Sequence, residues 1–178
     1  EFVTADLSSF EQVRKTVEGV DAIVHLGGHA VEGPWDTILN ANIVGTYNVF
    51  EAARLAGVKR IVFASSHHTV GFYRRDRTVG VDVPTRPDSR YAVSKVFGEA
   101  LGRLYADKHG LGVICQRIGV ARPKPPHRRG LRTWLSEEDY AQLTLACLRA
   151  PNVHFDVIYG VSANDRLFWD DAAGRQIG

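Results

Sequence analysis

Two near-continuous apolar runs, Arg-Ile-Val-Phe-Ala-Ser-Ser at 60–66 and Gly-Val-Ile-Cys-Gln-Arg-Ile at 112–118, restrict the fold more than any other feature. A strand that is apolar along its whole centre has no face left for water, so it belongs in a parallel sheet covered on both sides. Long stretches of helical periodicity separate these runs from their neighbours. The pattern predicts a strand at 2–5, a serine-capped helix at 8–18, and a strand at 22–26 ending in Gly27-Gly28. A helix at 35–56 closed by Gly57 follows, then the strand 60–66, a helix at 89–109 ending at Gly110, and the strand 112–118. A helix at 136–149, started by Ser136 and Asp139, and a strand at 153–161 complete the order. Strands alternating with helices predict the α/β class, a doubly wound parallel sheet (Rossmann-like), as a single domain over 1–178.

In such sheets ligands sit beyond the carboxyl ends of the strands. Those ends are Asp6, Gly27-Gly28, Ser65-Ser66 and Gly119. Near the start of the helix at 89–109, Tyr91 and Lys95 stand one helical turn apart and leave the same face. A phenol is a poor base at neutral pH, and a nearby ammonium is expected to lower its pKa into a usable range. Gly98 and Gly102 continue that face, where another chain or a cofactor is expected to approach closely. Val96, Phe97, Ala100, Leu101 and Leu104 are expected to cover the core side. The bland alternative is an amphipathic helix with an exposed lysine, and the Tyr-x-x-x-Lys spacing alone does not exclude it. Two neighbours favour the chemical reading. Ser65 and Ser66 end a buried strand, and Asn42, Gly45 and Thr46 sit together inside a helix they weaken.

Composition removes several other classes. The formal net charge of +2 calls for neither nucleic acid nor an anionic membrane, and no apolar run approaches the ~20 residues that span a bilayer. The basic segment with Arg122, Lys124, His127, Arg128, Arg129 and Arg132 lacks interleaved aromatics and reads as a solvated loop. His67 and His68 invite a metal reading. Adjacent histidines on an extended segment point to opposite sides, so no metal site is expected. Cys115 and Cys147, the only 2 cysteines, lie in apolar stretches and read as buried thiols of a cytoplasmic protein.

The chain starts at Glu1 and holds no methionine, and its first residues read as mid-strand. The expectation is a piece of a longer chain that lacks the N-terminal βαβ portion and its Gly-rich loop. That loop normally cradles a pyrophosphate, so the piece itself is expected to bind a dinucleotide weakly.

Together the motifs resemble the extended short-chain dehydrogenase/reductase family, also called the NAD-dependent epimerase/dehydratase family. The residues that carry the likeness are Asp6-Leu7, His25-Leu-Gly-Gly28, Asn42-Ile-Val-Gly-Thr46, Phe63-Ala-Ser-Ser66, Tyr91-Ala-Val-Ser-Lys95 and Arg117-Ile-Gly119, in family order. The resemblance implies that Tyr91 is the acid/base, that Lys95 tunes it and holds the nicotinamide ribose, and that Ser66 bonds the reacting oxygen. It places Asp6 and Leu7 at the adenine and Leu26, Gly27 and Gly28 along the dinucleotide path. Ala64, Ser65 and Ile118 complete the implied cofactor contacts.

Within the family the likeness is to the uronate dehydrogenase group. It is carried by the stretches 25–34, 63–71 and 82–88, by Thr133-Trp134 and by Ser162-Ala-Asn-Asp165. It implies NAD-dependent oxidation of the anomeric hydroxyl of a hexuronic acid (glucuronate or galacturonate) to a lactone. Substrate-binding elements are then expected in 67–90 and 120–178, with Ser66, His67, His68 and Tyr91 beside the sugar and Arg129 paired with its carboxylate. NADP is not separated from NAD, because the discriminating residue belongs to the upstream portion. The likeness leads us to expect serine at Ala30, asparagine at His67 and serine at Val120, and this chain departs at all of them. A different hydroxy acid or polyol therefore stays open.

A sugar-nucleotide epimerase or dehydratase would share Tyr91, Lys95 and Ser66 but needs more chain after 161. A non-catalytic dinucleotide-binding protein would not need the proton-transfer set. The resemblance also implies a homodimer through the helices 35–56 and 89–109.

Overall fold

The computed structural model describes residues 2–74, 76–125, 130–165 and 167–177. The described residues form six strands: β1 (Ala22–His25), β2 (Arg60–Ser66), β3 (Gly112–Ile118), β4 (Val120–Ala121), β5 (Trp134–Leu135) and β6 (Phe155–Gly160). The main sheet has the order β1-β2-β3-β6, and β4 pairs with β5 in a small second sheet. Every pairing in the main sheet is parallel, with Phe63 opposite Cys115 and Ser66 opposite Ile118. All carboxyl ends therefore open on one side.

Helices cover both faces, the doubly wound arrangement expected. Before β1 comes α1 (Phe10–Thr16). Between β1 and β2 run α2 (Trp35–Ile38), a π-helical turn (Leu39–Val44) and α3 (Gly45–Ala56). Then follow α4 (Arg90–His109), α5 (Glu137–Arg149) and α6 (Ala172–Ile177). On one face Phe50 of α3 and Leu101 and Tyr105 of α4 pack on Ile61, Phe63, Val113 and Cys115. On the other, Cys147 and Ala150 pack on Val62, Ile114 and Ile158, with Ala173 and Ile177 of α6 beside them. Cys115 and Cys147 are free, buried thiols.

The helix ends follow from local chemistry. Gly57 (φ 73°) and Gly110 (φ 70°) close α3 and α4 in the left-handed conformation that a side chain would strain. Ser89 and Ser136 cap α4 and α5 by accepting from the backbone N–H of Ala92 and Asp139.

Several expectations are corrected. Residues 2–5 form no strand, because β1 hydrogen-bonds only to β2 and no described residue extends its other edge. A strand needs a partner for its backbone groups. Residues 6–9 turn instead, with Ser9 N–H donating to the Asp6 carbonyl. Helix α1 is shorter than 8–18, and Ser9 at its start makes no side-chain cap. The strand at 153–161 narrows to β6, and β4, β5 and α6 were not anticipated.

The face of α4 also differs. Ala100 and Leu104 point outward, while Ala92, Lys95, Gly98, Glu99, Leu101 and Gly102 form the buried face. What approaches the glycines is the chain's own sheet. A methyl on Gly98 would overlap the Phe63 ring, and one on Gly102 would lie 2.9 Å from Val113 Cγ1. Small residues let α4 lie directly on the sheet, and this sets how close Tyr91 and Lys95 come to the end of β2.

Candidate active site

The carboxyl end of β2 and the first turn of α4 meet. Lys95 is only 7% exposed, and its ammonium donates to the Ala64 carbonyl oxygen at 2.7 Å. Its nitrogen lies 5.1 Å from the centre of the Phe63 ring and 5.6 Å from that of Tyr91. Burial brings Lys95 down to about 8. Tyr91 does not show the lowering expected from the ammonium. Burial raises its phenol, and the Ser66 hydroxyl pulls in the opposite direction.

Two devices fix the start of α4. Ser89 takes the N–H of Ala92, and Glu32, 59 residues upstream, takes the N–H of Tyr91 at 3.0 Å and the Arg90 guanidinium at 2.7 Å. These bonds hold the Glu32 carboxyl below its usual range, the Tyr91 N–H contributing most. Helix N-termini leave such amides unsatisfied. Here the loop after β1 supplies the missing acceptor.

Asn42, presented by the π-helical turn, joins the same region. Its Oδ1 accepts from the His29 N–H at 2.6 Å, and its Nδ2 donates to the His29 carbonyl and to Ser94 Oγ. Ser94 in turn donates to the Tyr91 carbonyl at 2.6 Å. Gly28 (φ 134°) lies against Asn42, with no room for a side chain. The loss of helix propensity noted at 42–46 thus has a structural return.

The strand-end motifs come together as well. Leu7 packs over Gly27 and Gly45, and its carbonyl accepts from Asn48 Nδ2 at 2.8 Å. Asp6 is exposed, with its carboxylate taken by the backbone and hydroxyl of Ser8. Leu26 is exposed beside Gly27. His25 is buried against Thr46 Oγ1 at 3.3 Å, and burial together with the Lys95 charge takes it to about 4, so it is neutral. Ser65 differs from its neighbours: its hydroxyl donates to Glu99 at 2.6 Å, inside a buried cluster with Arg117. Ile118 ends β3 partly exposed.

A cleft of about 1260 Å³ opens beside this end of the sheet. Its walls come from both segments expected to bind substrate, with His67, His68 and Asp88 on one side and Arg132, Asn164 and Trp169 on another. The His67 ring packs on Trp169 with centroids 5.1 Å apart, and the His68 ring meets Tyr91 edge-on at 6.2 Å. His68 thus lines the cleft and touches Tyr91, whereas Tyr91 and Ser66 themselves stand behind it and are not among the lining residues. Ser162 braces its floor, accepting from the Ser136 N–H and bonding to Asp139, and Asn164 Nδ2 donates to the Trp134 carbonyl. Val120 lines the cleft, whereas Ala30 does not. Arg129 lies outside the described residues.

Glu32 and Asp88 were missed as contributors. Each acts on a residue far along the chain, a relation that no local pattern records. The hints were coarse: Glu32 lies in the stretch 25–34 and Asp88 in the stretch 82–88 that carry the likeness, and Asp88 also stands directly before the serine cap of α4.

A parallel sheet with a serine at its carboxyl ends, and a tyrosine and a buried lysine facing them from the next helix, is the arrangement of a nucleotide-binding α/β fold. Residues 1–121 match the NAD dependent epimerase/dehydratase family, and the chain belongs to it. The uronate dehydrogenase of Agrobacterium fabrum is 49% identical over 97% of this chain and 65% of its own length. Among solved structures, the glucuronic acid dehydrogenase of Chromohalobacter salexigens superposes with a TM-score of 0.97 at 46% identity, over 100% of this chain and 67% of that one. A point mutant of the uronate dehydrogenase of Agrobacterium tumefaciens, complexed with NAD, gives 0.96 at 47% identity, over 99% and 66%. The chain spans about two thirds of the length of these relatives, from 62% to 66% of three curated uronate dehydrogenases.

Proposed function

We propose that this chain carries the proton-transfer residues of an NAD-dependent dehydrogenase that oxidises the anomeric hydroxyl of a hexuronic acid, glucuronate or galacturonate, to the lactone. The observation that carries this reading is the convergence of Ser66, His68 and Tyr91 where β2 meets the cleft. The relatives' names supply the substrate class.

The strand ends fit a dinucleotide. Gly27 and Gly28 follow β1 packed on Leu7 and Asn42, Leu26 is exposed beside them, and Lys95 sits next to Ala64. Asp6, Leu7, Ile118 and the backbone of Ser65, whose hydroxyl is engaged by Glu99, are the remaining contacts that we assign to the cofactor. When bound, NAD supplies the hydride acceptor. The protein's own work is proton handling and orientation. Ser66 Oγ holds the substrate oxygen, and the Tyr91 oxygen takes the hydroxyl proton as the C–O bond gains double-bond character. Lys95, as an ammonium, offsets the negative charge that makes the phenol a base, so its depressed pKa sets an upper pH limit on function. His67 and His68 contact the sugar, and Arg129 pairs with its carboxylate as a planar fork.

We further infer a cytoplasmic protein, from the free buried thiols, and a homodimer through 35–56 and 89–109. Tyr47, Leu55, Val93 and Leu104 are exposed on these helices, which supports an apolar contact there.

The test is cofactor reduction by the full-length protein with each uronate. Turnover of either acid is expected. No turnover of both, with ready turnover of another alcohol, overturns the substrate assignment.

A further inference from the structure

We propose that Asp88 is a positioning residue that fixes the tautomer of His68 and so presents Nε2 of that ring to a hydroxyl of the bound substrate. The use made of Nε2 rests on the function proposed above. The tautomer itself rests on geometry alone.

Both Asp88 oxygens lie within hydrogen-bond reach of His68 Nδ1, at 2.8 and 3.0 Å. A carboxylate has no proton to give, so Nδ1 donates and the neutral ring keeps its lone pair on Nε2. This is the opposite of the tautomer that a histidine side chain favours in water.

The pair is built rather than incidental. Ser89 Oγ donates to the same carboxylate at 3.2 Å. Gly71 makes room for it: a methyl there would overlap the carboxylate and come within 2.9 Å of Asp88 Cβ, so a side-chain rotation would not relieve the clash. The backbone that carries the ring is fixed as well, because the His68 backbone N–H donates to Ser66 Oγ at 3.2 Å.

His68, Gly71 and Asp88 all line the cleft, and the His68 side chain is 46% exposed. The nitrogen that Asp88 does not hold is therefore the one left for a ligand. A lone pair beside Tyr91 and Ser66 accepts a hydroxyl proton, and a polyhydroxylated substrate offers such hydroxyls next to the reacting carbon. Carboxylates that accept from the free N–H of a metal-bound imidazole orient that ring in the same way.

The test is long-range proton–nitrogen correlation NMR on protein labelled with ¹⁵N-histidine. Spectra are taken without substrate above pH 7, with His68→Gln to assign the signal. The wild type is expected to show the Nδ1–H tautomer. Asp88→Ala, which leaves Nδ1 no acceptor, lets the ring return to Nε2–H, and Gly71→Ala, which displaces the carboxylate, does the same. In kinetics, Asp88→Ala raises KM for the uronate about tenfold, the loss of roughly one good hydrogen bond, while KM for NAD stays unchanged. An Nε2–H ring in the wild type, or an unchanged tautomer in folded Asp88→Ala or Gly71→Ala, overturns the proposal. Because the spectrum needs no turnover, the two readings fail separately. An inactive protein with the Nδ1–H ring counts against uronate oxidation, and an active one with the Nε2–H ring counts against the role of Asp88.

Discussion

Glu99 grips Arg117 with both carboxylate oxygens, at 2.9 Å each, in a pair that is almost fully buried between α4 and β3. Ser65 donates to the same carboxylate, and Arg117 Nη1 reaches the Val81 carbonyl at 3.2 Å. The cluster ties together the end of β2, the turn of α4 that follows Lys95, and the loop containing Val81. Arg117→Leu would leave a buried carboxylate without its cation. We expect a loss of about 3–5 kcal/mol in urea denaturation, and a much smaller loss when Glu99→Leu is added. A single variant within 1 kcal/mol of wild type would refute this account.

Lys95 links function to stability through pH. Its pKa falls from 10.5 to about 8 on folding, so between those values the unfolded chain holds more proton. Stability therefore rises with pH through that window, by about 3 kcal/mol if Lys95 acted alone. Lys95→Met lacks the rise. Melting curves of both proteins from pH 7.5 to 10.5 should show wild type gaining on the variant, and parallel curves would contradict the burial that causes the shift.

Gly98 is where α4 touches Phe63, with no space for a methyl. Gly98→Ala is expected to destabilise by about 1–3 kcal/mol through overpacking. It should also lower kcat by moving Tyr91 away from Ser66. Chemical denaturation and steady-state kinetics check the two effects separately.

Tyr91→Phe removes the proton acceptor and little else, since its backbone N–H to Glu32 is retained. Hydride transfer should fall at least a hundredfold with NAD affinity nearly unchanged, as read by kinetics and by calorimetric titration. Activity near the wild-type level would remove Tyr91 from the mechanism.

Much of the scaffold was readable in one dimension because its causes are local. The strands 60–66 and 112–118 form with the expected bounds, and Gly57 and Gly110 stop their helices where only a left-handed residue fits. The face of α4 was not readable. Leu104 has the hydropathy of a core residue and Glu99 that of a surface one, yet the structure exposes the first and buries the second. Arg117 decides that outcome, from another element. The same holds in the site. Tyr91, Lys95 and Ser66 stand out as a spaced motif, whereas the carboxylates of Glu32 and Asp88, which hold Tyr91 and His68, declare themselves only once the chain has folded.

The π-helical turn Leu39–Val44 makes the segment between β1 and β2 sensitive to length rather than to composition. Such a turn holds one residue more than an α-helical turn, so deleting a single residue there would let the helix run straight. The helical turns before and after it would keep their facing, and only the widened turn itself would close up. Asn42, which that turn presents, would leave His29 and Ser94, and with it would go the link from the loop after β1 to the Tyr91 carbonyl. One frame-preserving codon deletion, far from Tyr91 in the gene, would thereby cut a support of the site while leaving Ser66, Tyr91 and Lys95 in the protein.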